Sequence, residues 1–246
     1  MAEYETVRRA GAGVGTAQID EGLRTHMNKV YGTMSVGLLL TAGVSWAVGS
    51  NDALLSIFRN PETFAPNLLG YAVMFAPLIM VFAFGAAVNR MSAAGAQLFF
   101  YAFASVMGLS MAWIFAAFTG YSIAQTFLVT SISFAGLSLW GYTTKKDISG
   151  WGSFLIMGVI GLLVAMIVNW FLQSPAMMYA ISLLGVLIFA GLTAYDTQKI
   201  KTNYLAHAHS GDQEWLAKSA IMGALNLYLD FINLFMFLLH FMGNRE

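Results

Sequence analysis

A chain of 246 residues with 58% hydrophobic residues, 10% charged residues and a mean hydropathy of +0.68 is not built like a soluble domain, in which about a quarter of residues are charged. Twelve Lys and Arg balance twelve Asp and Glu, and no basic stripe exists to bind nucleic acid. The lack of cysteine excludes disulfides, thiolate metal sites and a cysteine nucleophile.

Residues 1–26 form a polar tail with Glu3, Glu5, Arg8, Arg9 and a Gly/Ala run, too poor in apolar surface to fold alone. The tail has no apolar core of the length a cleaved signal needs, so targeting falls to the first span. Residues 27–246 read as an all-α domain of seven transmembrane helices. Apolar runs near 30–49, 68–89, 97–118, 122–141, 153–172, 177–195 and 220–241 each approach the roughly 20 residues that cross a bilayer. The longest connection, 50–67, holds Asp52, Arg59, Pro61, Glu62 and Pro66. The connections 119–121 and 173–176 are tight, which makes the spans they join antiparallel neighbours. Pro77 is expected to kink the second span. Asn169 is expected to make a helix-to-helix hydrogen bond. Gly108, Ala112 and Ala116 recur every fourth residue and either admit a close helix neighbour or reflect ordinary small-residue content. The 15 methionines serve as adaptable apolar filling.

Positive charge orients the chain, because Lys- and Arg-rich loops stay cytoplasmic. With the N-terminus inside, that side holds Arg8, Arg9, Arg24, Lys29, Arg90, Lys145, Lys146, Lys199, Lys201 and Lys218, and the other holds only Arg59 and Arg245, ten against two. The expected topology is therefore N-terminus inside, C-terminus outside. Lys145 and Lys146 are read as serving this rule alone, and Asp147 as favouring the positive end of the fifth helix dipole.

The last span carries Asp230 at its middle. A carboxylate at that depth costs a few kcal/mol or more and is a functional-site hypothesis by default. Asn226, Asp230, Asn233 and His240 lie at spacings of four, three and seven, on one helix face that Gly223 continues. Such a stripe should face other protein or a water-filled cavity, so this helix is expected inside the bundle. Asn226, Asn233 and His240 are candidates for an ion pathway, although a histidine near a span end also suits an ordinary interfacial role. A second carboxylate, Asp196, stands at the end of the sixth apolar run in Leu192-Thr-Ala-Tyr-Asp196-Thr-Gln. Arg90 ends the second. Both fall near the cytoplasmic edge and can pair, or can snorkel to water separately.

The stretches Gly141-Tyr-Thr-Thr-Lys-Lys-Asp-Ile-Ser-Gly-Trp-Gly-Ser-Phe, Ala194-Tyr-Asp-Thr-Gln and Leu225-Asn-Leu-Tyr-Leu-Asp-Phe-Ile-Asn-Leu-Phe resemble the hallmarks of the Bax inhibitor-1 (transmembrane Bax inhibitor motif) family, in its bacterial branch. The resemblance implies a seven-helix fold with the last helix central, set in the bacterial inner membrane, and a pH-responsive calcium leak without a cofactor. It also implies that Asp196 and Asp230 form a proton-sharing pair near an arginine that Arg90 matches. Two departures matter. The stretch 68–88 has no acidic residue, where some relatives carry one. The chain ends at Gly243-Asn-Arg-Glu246 where animal relatives carry a charged tail, so any pH sensor is expected in the helices. Geometry poses a difficulty: Asp196 at the inner edge would lie roughly 15 Å from the depth of Asp230.

Three functions compete. In an ion leak, two close carboxylates share a proton and, with amide oxygens such as those of Asn226 and Asn233, suit calcium. An intramembrane aspartyl protease would use the same pair, but Leu227-Tyr-Leu-Asp230 stands where that chemistry has Gly-x-Gly-Asp. A third possibility is a membrane interaction protein that modulates a membrane protease or other partner. Topology gives the first test. Single cysteines at Ser210 and Asn60 are expected to label from opposite sides of the membrane. Labelling of both from one side would contradict seven spans.

Overall fold

The computed structural model describes residues 2–60, 63, 65–208 and 212–244, with side chains from residue 18 onward. Its helices are α1 (Ala2–Gly49), α2 (Asp52–Leu55), α3 (Leu68–Ala87), α4 (Ala93–Met111), α5 (Ile114–Ala117), α6 (Gly120–Thr143), α7 (Trp151–Leu172), α8 (Pro175–His207) and α9 (Gln213–Met242), with a 3-10 turn Val88–Arg90 after α3. Seven segments are long and apolar enough to cross a membrane: Gln18–Gly49 of α1, Leu68–Arg90, Ala93–Ala117, and each of α6 to α9. No strand forms among the described residues, only an isolated bridge between Arg59 and Pro66. Apolar runs become helices because hydrocarbon offers the backbone no hydrogen-bond partner.

Where each helix begins is set by short polar side chains that accept orphan backbone N–H groups. Asn67 accepts from Gly70, Ser92 from Gly95, Thr119 from Ser122, Ser174 from Met177 and Asp212 from Trp215. Pro175 follows its cap at the first helical position, where a missing N–H costs nothing. Helix α7 ends at Gln173, whose left-handed φ of 47° turns the chain back. Asn169 closes this turn, its Oδ1 accepting from Ser174 N at 3.0 Å. It is a turn residue, not the helix-to-helix bond expected. Helix α3 continues through Pro77.

Two boundaries differ from the apolar runs. Helix α8 spans 33 residues and α9 spans 30, each with a polar extension that hydropathy does not register. The first span also begins before residue 27: Leu23 and His26 are buried, and the His26 ring lies 4.9 Å from that of Tyr204 on α8. What residues 1–17 pack against lies outside the described side chains.

Helix α9 is the axis of the bundle. Of its most apolar stretch 67% is buried, against 39% at most for any other span and 11% for α7. It packs most extensively on α8, then on α1, α6 and α4, while α3 lies chiefly on α4 and α7 chiefly on α8. Gly108 brings α4 against α1, since a Cβ there would lie 2.7 Å from the Thr41 carbonyl oxygen. Ala112 is buried beside it but Ala116 is exposed, so the small-residue stripe works over its first two positions. Gly141 does the same for α6 on α8: a Cβ would collide with the backbone of Ala194.

Gly141→Ala is therefore expected to destabilise the protein by roughly 1–3 kcal/mol, as overpacking does. Gly136→Ala on the same helix, where a Cβ meets nothing within 4 Å, should be neutral or stabilising by up to about 1 kcal/mol. Unfolding in detergent compares the two, and equal effects would refute the close contact.

Candidate functional site: a carboxyl pair between the last two helices

Helices α8 and α9 are joined by a short connection and run antiparallel, which fixes which residues face each other. Ile200 packs on Gly223, and Phe189 stacks on Phe237 with ring centroids 5.7 Å apart. Between these two contacts Asp196 meets Asp230, and their carboxyl groups are within hydrogen-bonding reach. The expected depth mismatch disappears because α8 does not end at Asp196. It continues to His207, about 16 Å further at 1.5 Å per residue, so Asp196 sits well inside the helix.

The surroundings define the chemistry. Asp230 is 4% exposed and its buried Oδ2 has no conventional hydrogen-bond donor. Asp196 is half-buried. An ionised carboxylate only accepts hydrogen bonds, so a bond between these two groups requires a proton on one of them. Lys199, exposed and one helical turn beyond Asp196, is the cation near the two carboxyls. Its Nζ also lies 5.8 Å from the centre of the Tyr195 ring. Arg90, expected as the charge partner, is exposed at the end of the 3-10 turn. Helix α3, which precedes it, rests chiefly on α4.

The polar stripe of α9 divides by function. Asn226 lines a cavity of about 210 Å³ together with Lys199, Asn89, Asn203 and Lys218. Asn233 donates to Leu229 O at 2.8 Å, satisfying its amide on its own helix. His240 Nδ1 meets Met236 O at 2.7 Å, and its ring sits 6.1 Å from Trp113 and 5.8 Å from Phe118. Thus Asp230 forms the pair, Asn226 lines a cavity, Asn233 bonds its own helix, and His240 packs on two aromatic rings. Among the described residues no group of three His, Asp or Glu gathers. A calcium ion at the pair would take two carboxylates and complete its six to eight ligands with carbonyl, amide or water oxygens.

Two polar networks escaped the sequence reading. The Tyr228 hydroxyl, fully buried on α9, hydrogen-bonds Thr41 Oγ1 at 2.6 Å, and Thr41 lies 2.8 Å from Ala104 O. Tyr31 on α1 bonds Ser138 on α6 at 2.5 Å, and Ser138 bonds Thr197 on α8 at 2.9 Å. The second network had a visible signal: Ser122, Thr126, Thr130, Phe134 and Ser138 recur every fourth residue and form the buried face of α6. Tyr228 had none, since a tyrosine among Leu and Phe reads as core.

The family described as "Inhibitor of apoptosis-promoting Bax1" matches residues 23–246. The chain is 44% identical over 225 residues to the inner membrane protein YbhL of Escherichia coli, covering 92% of this chain and 94% of that protein. A protein of Caulobacter vibrioides is 45% identical over 232 residues, covering 93% and 92%. A membrane protein of Streptococcus pyogenes is 34% identical over 231 residues, covering 93% and 96%. With its seven apolar helices, the chain is a multi-pass protein of the bacterial inner membrane and belongs to the Bax inhibitor family.

Proposed function

We propose that the protein is a cation leak, with calcium as the ion, gated by the proton that Asp196 and Asp230 share. The observation that carries this reading is the meeting of two carboxyl groups between the two most extensively packed helices, with a single nearby lysine. While the shared proton is present, the pair carries at most one negative charge, which Lys199 offsets, and α8 stays joined to α9. Loss of the proton leaves two like charges side by side in a poorly solvated site, and they repel. A few kcal/mol of repulsion suffices to shift such an equilibrium, since about 5.5 kcal/mol takes it from 1:99 to 99:1.

The sign follows from the proton count. The joined state holds a proton that the parted state releases, so low pH favours the joined state and rising pH favours parting. The two carboxyls titrate as a unit. Calcium competes with the proton for the same oxygens. Once the helices part, Asn226 and the cavity beside it offer a polar path on the Lys199 side. We infer no protease role for the pair, because Leu227-Tyr-Leu-Asp230 stands where that chemistry has Gly-x-Gly-Asp.

Calcium flux into liposomes against pH tests the reading. The parent is expected to leak more as pH rises, whereas Asp196→Asn and Asp230→Asn should each flatten the dependence, and the double variant should add little to either. Lys199→Gln should shift the profile, and Arg90→Ala should leave it near that of the parent. Unchanged profiles in both aspartate variants would place the sensor elsewhere.

A further inference from the structure

The connection between α6 and α7 folds back over α8 and brings four lysines around one cavity of about 510 Å³: Lys145 and Lys146 from the connection, Lys199 and Lys201 from α8. Orientation of the chain needs lysines at this end of the bundle, but it does not need them gathered. The gathering is built. Gln198 clamps the connection to α8, its Nε2 donating to Lys146 O at 2.8 Å and its Oε1 accepting from Ile148 N at 2.9 Å. Ile148 is buried and anchors the same turn. Lys201 Nζ donates to Tyr142 O at 2.7 Å, which holds its charge at the end of α6.

This positive charge is poorly compensated. Among the described residues the one ion pair is Lys218 with Glu214, at another part of the bundle. Asp147 also lines the cavity, but its Oδ1 accepts from Ser149 N at 2.9 Å. Its carboxyl is held below the usual range by that backbone bond and the Ser149 side chain. Lys199 is shared with the carboxyl pair, but Lys145, Lys146 and Lys201 against one internally bonded carboxylate still leave an electropositive cavity suited to an anion. Its position identifies the source. Trp140 and Trp151, on the α6 and α7 ends that flank the connection, are exposed with ring centroids 6.1 Å apart, as tryptophans are at the level of lipid headgroups. Beyond them α7 exposes Phe154, Ile156 and Met157, a surface for acyl chains.

We propose that this cavity binds the phosphate headgroup of an anionic phospholipid, with Lys145 and Lys146 as its accessible contacts and Lys201 as the fixed charge at its base. The site stands independently of the leak reading, because the lysines that carry it, Lys145, Lys146 and Lys201, are not the one beside the carboxyl pair.

Native mass spectrometry of the full chain, titrated with phosphatidylglycerol or with phosphatidylcholine, tests it. Phosphatidylglycerol is expected to be retained several-fold better. The double variant Lys145→Gln, Lys146→Gln should bring the two lipids to near-equal retention, with an unfolding midpoint matching the parent, and Lys201→Gln should also weaken the preference. Lys29→Gln, an exposed lysine outside the cavity, should leave it unchanged. Equal retention of both lipids, or equal loss in Lys29→Gln and the double variant, would overturn the site. Displacement of phosphatidylglycerol by inorganic phosphate at matching concentration would assign the cavity to a soluble anion and overturn the lipid.

Discussion

A carboxyl group in the middle of an apolar helix has nowhere to find a partner except in another helix of the same bundle. Asp230 is such a group, and Asp196 is what it meets. From that pairing other features follow. Helix α9 must be surrounded, and it is the most buried span. Helix α8 must run well past Asp196, or the two side chains would sit at different depths, and it does. The register is kept on either side by Gly223 under Ile200 and by Phe189 against Phe237. Hydrophobic burial drives little association between helices in lipid, so close packing and a few polar contacts must carry specificity.

The remaining polar contacts tie the other helices to this centre. Tyr228 and Thr41 join α9 to α1, and Thr41 reaches the backbone of α4. Tyr31, Ser138 and Thr197 join α1, α6 and α8 one residue away from Asp196. Model systems credit such bonds with roughly 1–2 kcal/mol and measured cycles with about 0.6 on average, so each is modest and the set selects one arrangement. Helices α3 and α7 lie outside it, held through α4 and α8. A change at the carboxyl pair therefore acts on the α8–α9 contact while α1, α4 and α6 retain their own links.

Much of this was legible in the sequence. Length and hydropathy give the seven spans, because a bilayer imposes both. The polar stripe placed α9 inside the bundle, although of Asn226, Asp230 and Asn233 only Asp230 is fully buried. The same evidence misled about depth: hydropathy ends the sixth run at residue 195, whereas the backbone continues as helix because polar residues beyond it are good helix formers facing water or protein. That reading put Asp196 at the end of its helix, whereas the helix runs on to His207. Lys199, beyond the end of the sixth apolar run, lies within α8 one turn from Asp196. Periodicity also overcounts. Asn233 shares the stripe yet bonds Leu229 O on its own helix, and spacing cannot separate such a side chain from one that reaches a neighbour. Lysine positions gave orientation, but their convergence around one cavity depends on how Gln198 folds the α6–α7 connection.

The claim on which this account rests is that Asp196 and Asp230 act as one protonated unit. A double-mutant cycle on unfolding free energy, with Asp196→Asn, Asp230→Asn and both together at mildly acid pH and again at alkaline pH, measures it directly. The account predicts a coupling energy of about 0.5–3 kcal/mol at acid pH, falling as pH rises and the shared proton is lost. Additivity within about 0.5 kcal/mol at both pH values would contradict it.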